Sequence, residues 1–533
     1  MQMGYDAALF LLLAFITSPA HSALLANSFR DCMATTFGSQ SIETILLTSS
    51  SSQYPQALQS FQQNPRWLNS SSSTKPLAIL TPLHQSHIQV AILCAKKLGM
   101  HVRVRSGGHD YEGLSYLSTY KPPFAFVMID LNQQRSIDIN LADETAWVQA
   151  GATLGELYYE ISKASGVHGF PAGICPSVGV GGHISGGGFG TMLRKFGTAA
   201  DHVVDAYLVD ANGNILDRKS MGEDLFWAIR GGSATSFGII LAWKIKLVRV
   251  PPIVTGFNIQ RTLEEGATIL INKWQHVADK LHEDLFIRVV AQNRGGGSSS
   301  TILASFNSLF LGGKEKLMAT MKEEFPELRL EAKDCIEMSW IQSTLYFAGY
   351  RIWEPAQVLL NRITTYKSSF KAKSDFVMDP IPEIGLQGIW NLLLREDALA
   401  LLIMDPYGGR MNEISEYEIP FPHRKGNLYN IQYLVKWDYN SIQASNRHVN
   451  WMRMLHTYMT PYVSRSPRAA YANYRDLDLG RNRNHHTPNT SYSEASVWGL
   501  KYFKGNFKRL AQIKTRVDPH NFFRNEQSIP ILN

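Results

Sequence analysis

Two glycine-rich segments each carry a side chain that can act as a nucleophile. The first, Arg105-Ser106-Gly107-Gly108-His109-Asp-Tyr-Glu-Gly113, centres on an imidazole. The second runs from Gly173 through Cys175 and Val178 to Gly181-Gly182-His183-Ile-Ser-Gly186-Gly187-Gly188-Phe-Gly190. Glycine lets successive backbone N–H groups converge on an anion, a concavity suited to a pyrophosphate, and Arg105 adds charge to it. The glycine density of the second segment suits neither a helix interior nor a strand, so its backbone must approach another group closely. Neither segment has the G-x-G-x-x-G dinucleotide fingerprint or the G-x-x-x-x-G-K-[ST] phosphate loop, which argues against a Rossmann or P-loop enzyme. His109, Cys175 and His183 are zinc-ligand types, but their spacing matches no zinc motif. No two of the four cysteines form a CxxC pair, so no metal is expected.

The elements that must position these residues read as α+β. Pro76–Thr81 is a buried strand, His87–Leu98 a helix and His101–Arg105 a second strand that delivers the first glycine segment. Phe124–Leu131 and Thr145–Ala150 continue the strand pattern, Thr153–Ser165 is an amphipathic helix, and Ala206–Asp210 with Ile215–Asp217 forms a hairpin turning at Asn212-Gly213. Pro251-Pro252 ends the Ile240–Val250 strand and opens a second domain. Beyond it, helices over Thr262–Leu281, Lys314–Phe325 and Pro355–Lys367 mix with strands Leu285–Ala291, Ala398–Met404 and Tyr429–Trp437. Gly295–Ser300 reads as a loop at a hairpin tip.

The chain has 533 residues, 44% hydrophobic and 18% charged, enough to bury a large core split into two or three domains. Its 52 Lys+Arg against 45 Asp+Glu give a net charge of +7. These charges are scattered, so nucleic acid is not an expected partner. The apolar run Ala7–Ile16 is too short to span a membrane and reads as a signal peptide ending near Ser22, with a buried N-terminal helix as the alternative. The sequons at Asn69 and Asn489 fit a glycosylated secretory product. In an oxidising compartment Cys32 can pair with Cys94, which leaves Cys175 and Cys335 to explain.

The two glycine segments, Asn473-Tyr474-Arg475-Asp476-Leu477-Asp478 and Val517-Asp-Pro-His-Asn-Phe-Phe-Arg-Asn-Glu-Gln-Ser-Ile-Pro530 together resemble the plant berberine-bridge-enzyme-like flavoproteins, over nearly all of the chain and in order. That family includes reticuline oxidase, cannabinoid synthases, monolignol oxidases and mulberry Diels–Alderases. The resemblance implies a vanillyl-alcohol-oxidase-type FAD domain with an inserted α+β substrate domain built on an antiparallel sheet. The expected division is a signal peptide over 1–22, the FAD domain over 23–250, the substrate domain over 251–470, and a segment over 471–533 that completes the FAD domain. By the same resemblance His109 binds the flavin 8α-methyl carbon and Cys175 binds C6. Arg105, Ser106, Gly107, Gly108, Val178, Gly181, Gly182, His183, Gly186 and Gly187 supply further cofactor contacts. An imidazole and a thiolate are nucleophilic enough to add to an electron-poor isoalloxazine, and two anchors make the ring a better hydride acceptor beneath an open cavity.

On the substrate side the resemblance implies Tyr474 as catalytic base, assisted by Arg288, with Tyr116 and Gln432 in the pocket. Alkaloid-oxidising members carry a glutamate base at the position of Gln432. An amide cannot take that proton, which argues against bridge formation on a benzylisoquinoline. Phe196 stands where members commonly have tyrosine, and it is expected to make one pocket wall apolar. Val178 matches the residue used by oxygen-reactive members. The expected protein is a monomeric FAD oxidase, extracellular or vacuolar, that passes hydride from a phenolic or terpenophenolic small molecule to flavin and then electrons to O2. The alternatives are an intermolecular Diels–Alderase that uses the flavoprotein as a scaffold, and a carbohydrate oxidase.

Overall fold

The computed structural model describes residues 19–67, 73–121, 124–296, 300–363, 367–438, 441–483 and 491–532. The sequons at Asn69 and Asn489 lie outside the described residues, as does the expected leader apart from its last few residues. Pro19 already begins a helix, Pro19–Phe37. Cys32 on that helix is disulfide-bonded to Cys94 on helix Gln85–Lys97.

Two small sheets share the first core. One places Leu46–Thr48, Ala78–Leu80, Phe126–Asp130 and His101–Arg105 side by side. The last three run parallel, and the first is antiparallel to its neighbour. The other is an antiparallel five-stranded sheet in the order Ile137–Asn140, Thr145–Gln149, Ile239–Lys246, Val203–Val209 and Ile215–Leu216. The C-terminal helices Tyr492–Phe503 and Asn506–Val517 return to this core, burying Trp498, Tyr502, Phe507 and Leu510 in it. Lys514 secures the return, donating to the Ser236 carbonyl at 2.6 Å while paired with Asp518.

A second core forms on one face of a seven-stranded antiparallel sheet. Its order is Ile336–Met338, Val254–Thr262, Thr301–Phe310, Leu285–Arg294, Leu399–Pro406, Tyr429–Trp437 and Ser369–Val377. The two-residue period of a strand explains how this sheet serves both a core and a site. Ile431, Tyr433 and Val435 join Ile287 and Val289 beneath the helices Ala267–Val277, Glu383–Leu394 and Ile442–Tyr458. The intervening Gln432, Leu434 and Arg288 face the other way, into a cavity.

Three sequence expectations need correction here. Thr262 ends a strand, and the helix begins only at Ala267, after Gly266 has turned the backbone left-handed at φ 85°. Among the described residues of Pro355–Lys367 only the 3₁₀ segment Ala356–Leu360 forms in place of the expected helix, and Arg362 beyond it is drawn to Glu156 and the Gly151 carbonyl. The Ile240–Val250 strand breaks at Leu247, and Val248–Arg249 pairs instead with His168–Gly169.

Candidate active site

The two glycine segments meet face to face. A Cβ on Gly107 would lie 2.3 Å from the Gly179 nitrogen, and one on Gly179 would lie 2.1 Å from Ser106 Oγ. Only glycine permits that approach. Ser106 donates to the Ala150 carbonyl at 2.5 Å and so fixes the loop. Contrary to the expectation from its glycine density, part of the second segment is helical, Val180–Ser185, and on this short helix Gly182 is the opposite case, because a Cβ there would meet nothing within 4 Å and would project into open space. Between these loops and the seven-stranded sheet runs a cavity of about 490 Å³.

At one part of the cavity wall His109 Nε2 lies 3.0 Å from Ser177 Oγ, and the free thiol of Cys175 lies 3.5 Å from the same oxygen. Burial pushes His109 down to about 4, with a hydrogen bond to the Ser177 backbone opposing and Lys367 reinforcing the shift, so its imidazole is neutral at pH 7. His183 is pushed down to about 4 by burial and then by His109, and its Nε2 accepts the Gly173 N–H at 3.0 Å.

Facing them stands a group of phenols. Tyr474 stacks on Tyr111 with centroids 5.6 Å apart and planes within 8°. Gln432 Nε2 donates to Tyr111 Oη at 2.7 Å, and the edge of Phe189 meets Tyr474 at 6.1 Å. Burial holds the Tyr474 phenol well above its ordinary pKa, Tyr111 and Asp405 add to this, and Arg288 works against it. Arg288 is itself engaged, with its Nε 2.5 Å from Asp405 Oδ1. Arg475 turns away from its neighbour Tyr474 to pair with Asp110 at 3.0 Å.

Ser106, Gly107, Gly108, His109, Cys175, Val178, Gly181, Gly182, His183 and Gly186 line the cavity together with Tyr474, Gln432 and Arg288. Four expected site residues lie elsewhere. Arg105 is fully buried and engaged by Asp130 at 2.5 Å and by the carbonyls of Ala57 and Leu58, and it does not line the cavity. Tyr116 sits in a separate apolar cluster with Tyr54, Leu58 and Ile79, because the chain reverses at Gly113. Phe196 closes the short helix Leu193–Phe196 and faces His202, so the apolar wall assigned to it belongs to Phe189. Gly187 packs under Phe421, where a Cβ would come within 2.7 Å of that ring.

Sequence reasoning missed Tyr111, Phe189, Asp405 and Ser177. Tyr111 stands two residues after His109, and Ser177 two after Cys175, so local spacing was the available signal for both. Asp405 is brought to Arg288 only by sheet pairing and carries no local mark. A buried charge network also went unread. Lys371 reaches Glu112, which follows His109, and Asp476, which follows Tyr474, while Lys373 meets Asp476 at 2.6 Å. Strand Ser369–Val377 thus ties both halves of the site together.

The chain matches the family described as FAD binding domain over residues 76–218 and the one described as Berberine and berberine like over residues 470–530. Berberine bridge enzyme-like 26 of Arabidopsis thaliana is 57% identical over 485 residues, covering 91% of this chain and 89% of that one. The chain belongs to the berberine bridge enzyme-like family. It is an FAD-dependent oxidoreductase. Another family member, monolignol oxidoreductase AtBBE-like 13 of the same plant, is 53% identical over 482 residues, covering 90% of this chain and 88% of that one. Among solved structures, Phl p 4, a grass pollen allergen with glucose dehydrogenase activity, is 48% identical with a TM-score of 0.87, covering 92% of this chain and 97% of that one.

The family's FAD fits the residues present. Gly182 leaves room where any side chain would intrude, and the cavity-lining Arg103 keeps Nε and Nη1 without a partner among the described residues while its Nη2 pairs with Glu526 at 2.7 Å. Unpaired guanidinium N–H groups on the wall of a glycine-lined cavity suit an anionic, closely packed ligand.

Proposed function

We propose that this protein is a secreted oxidase of a phenolic or terpenophenolic metabolite, with FAD held covalently by His109 and Cys175. The observation that carries the reading is the pairing, across one cavity, of a neutral imidazole and a free thiol with the stacked phenols Tyr474 and Tyr111. Bound FAD supplies the two-electron acceptor, oxidising the substrate and reducing O2 to hydrogen peroxide. Val178, small and on the cavity wall, leaves room for O2. The monolignol oxidoreductase relative supports a phenolic substrate.

Tyr474 takes the phenolic proton in its ionised form. The phenol is protonated at neutral pH, so the reactive fraction grows about tenfold per pH unit and activity climbs into the alkaline range. Tyr111 positions the ring of Tyr474 by stacking, and Gln432 holds Tyr111.

A second reading, flavoprotein-scaffolded cycloaddition without net redox change, is favoured by one observation: a protonated Tyr474 beside the Arg288 guanidinium makes a donor pair that polarises a dienophile without removing a proton. The holoenzyme is to be mixed anaerobically with a phenol panel, with glucose and with cellobiose, and then aerated. Bleaching with phenols, recovery in air and stoichiometric peroxide are the expected result. Bleaching only with sugars, or a product of summed masses without peroxide, overturns the phenol-oxidase reading.

A further inference from the structure

The two residues assigned to covalent attachment converge on a side chain that the proposed oxidation does not use. Ser177 Oγ is 3.0 Å from His109 Nε2 and 3.5 Å from Cys175 Sγ. Ser177 is 3% exposed, so water does not compete for these contacts. The backbone holds it firmly: the Val178 N–H donates to the Cys175 carbonyl at 3.2 Å, and the Pro176 and Val178 carbonyls accept from Gly155 and Leu154 at 2.8 and 2.9 Å. A Cβ on Gly107 would come within 2.8 Å of the Ser177 carbonyl, so that glycine is what lets the histidine loop approach the serine.

We propose that the Ser177 hydroxyl directs flavin attachment, accepting the Nε2–H of His109 so that Nδ1 is the nucleophilic nitrogen, and donating its own proton towards Cys175 sulfur so that the sulfur is held in place. A hydroxyl has one proton and two lone pairs, so it can serve both neighbours at once. At neutral pH the buried imidazole carries a single N–H, and the group bonded to one ring nitrogen decides which nitrogen keeps its lone pair.

The inference rests on the covalent reading above, and its chemistry balances. At His109 one flavin methyl C–H and one imidazole N–H are lost and one C–N bond forms. At Cys175 one ring C–H and one S–H are lost and one C–S bond forms. Each attachment releases two protons and two electrons, which reduce one O2 to H2O2.

The test compares full-length wild type, Ser177→Ala and Ser177→Thr, each incubated with FAD in air. Flavin surviving acid precipitation is measured over time, and flavin-bearing tryptic peptides are assigned by mass. Ser177→Ala is expected to attach flavin at His109 about tenfold more slowly, the cost of one hydrogen bond, while still binding FAD reversibly, and Ser177→Thr is expected to restore the rate. Attachment at the wild-type rate in Ser177→Ala overturns the inference, and so does equal slowing in Ser177→Thr, since a hydroxyl is then not what matters. Wild-type protein with flavin on neither residue overturns the covalent reading itself, which separates the two failures.

Discussion

Asp405 claims much of the charge of Arg288, and this pairing sets how far Tyr474 is helped to ionise. Asp405 raises the Tyr474 pKa and Arg288 lowers it, so removing either shifts the profile in a known direction. Asp405→Asn is expected to move the alkaline limb of kcat/KM to lower pH, and Arg288→Met to higher pH, checked by steady-state pH profiles with one phenolic substrate. Tyr474→Phe is expected to lower kcat about 100-fold or more, the usual worth of a positioned base, with the flavin content of the purified protein unchanged. At this scale the sequence was informative wherever a motif surrounds the residue, as for His109, Cys175 and Tyr474. It misled between Tyr111 and Tyr116: both follow His109 closely, and the turn at Gly113, with φ 73°, decides which phenol faces the cavity.

Strand Ser369–Val377 organises the site at the scale of elements. It presents Lys371 and Lys373 to carboxylates that follow His109 and Tyr474 in two distant segments. Replacing Lys371 by Met removes the cation shared by Glu112 and Asp476, which keep Arg66 and Lys373 as partners, so a loss of about 1–3 kcal/mol is expected, measurable as a lower denaturant midpoint. This strand escaped sequence reading for the same reason. Lys371, Lys373, Ser374 and Asp375 are polar yet buried, and what satisfies their charge and hydrogen-bonding demand comes largely from remote chain. Tyr429–Trp437, where Tyr429, Ile431, Tyr433, Val435 and Trp437 alternate with the mostly polar Asn430, Gln432, Leu434 and Lys436, was readable from its own residues.

Two covalent and electrostatic features act on the whole molecule. The Cys32–Cys94 bond closes a loop with a sequence separation of 62 residues and joins the first helix to helix Gln85–Lys97. The double replacement Cys32→Ser, Cys94→Ser is expected to cost about 3–5 kcal/mol, read from denaturant unfolding. Buried histidines set the acid limit. Burial pushes His183 down to about 4 and His101 to about 3, from 6.5. Below pH 6.5 the unfolded chain therefore takes up protons that the folded chain refuses, so stability falls with acidification between about pH 6.5 and pH 4. The unfolding temperature is expected to fall steadily across that window, and a flat profile would contradict the buried, neutral state of these rings.

What the sequence settled alone was local: the glycine-rich segments, the imidazole and thiol they carry, the alternation of apolar strands and the family those motifs mark. Such signals need only near neighbours, because steric freedom and periodicity act within a few residues. The tertiary structure alone decided which of two tyrosines lines the cavity, that Arg105 is spent on Asp130, that Phe189 forms the wall expected of Phe196, and that Asp405 partners Arg288. Each of those outcomes depends on where a buried polar or aromatic group finds its partner once two sheets close over one cavity. Partners far apart along the chain leave no mark in its periodicity.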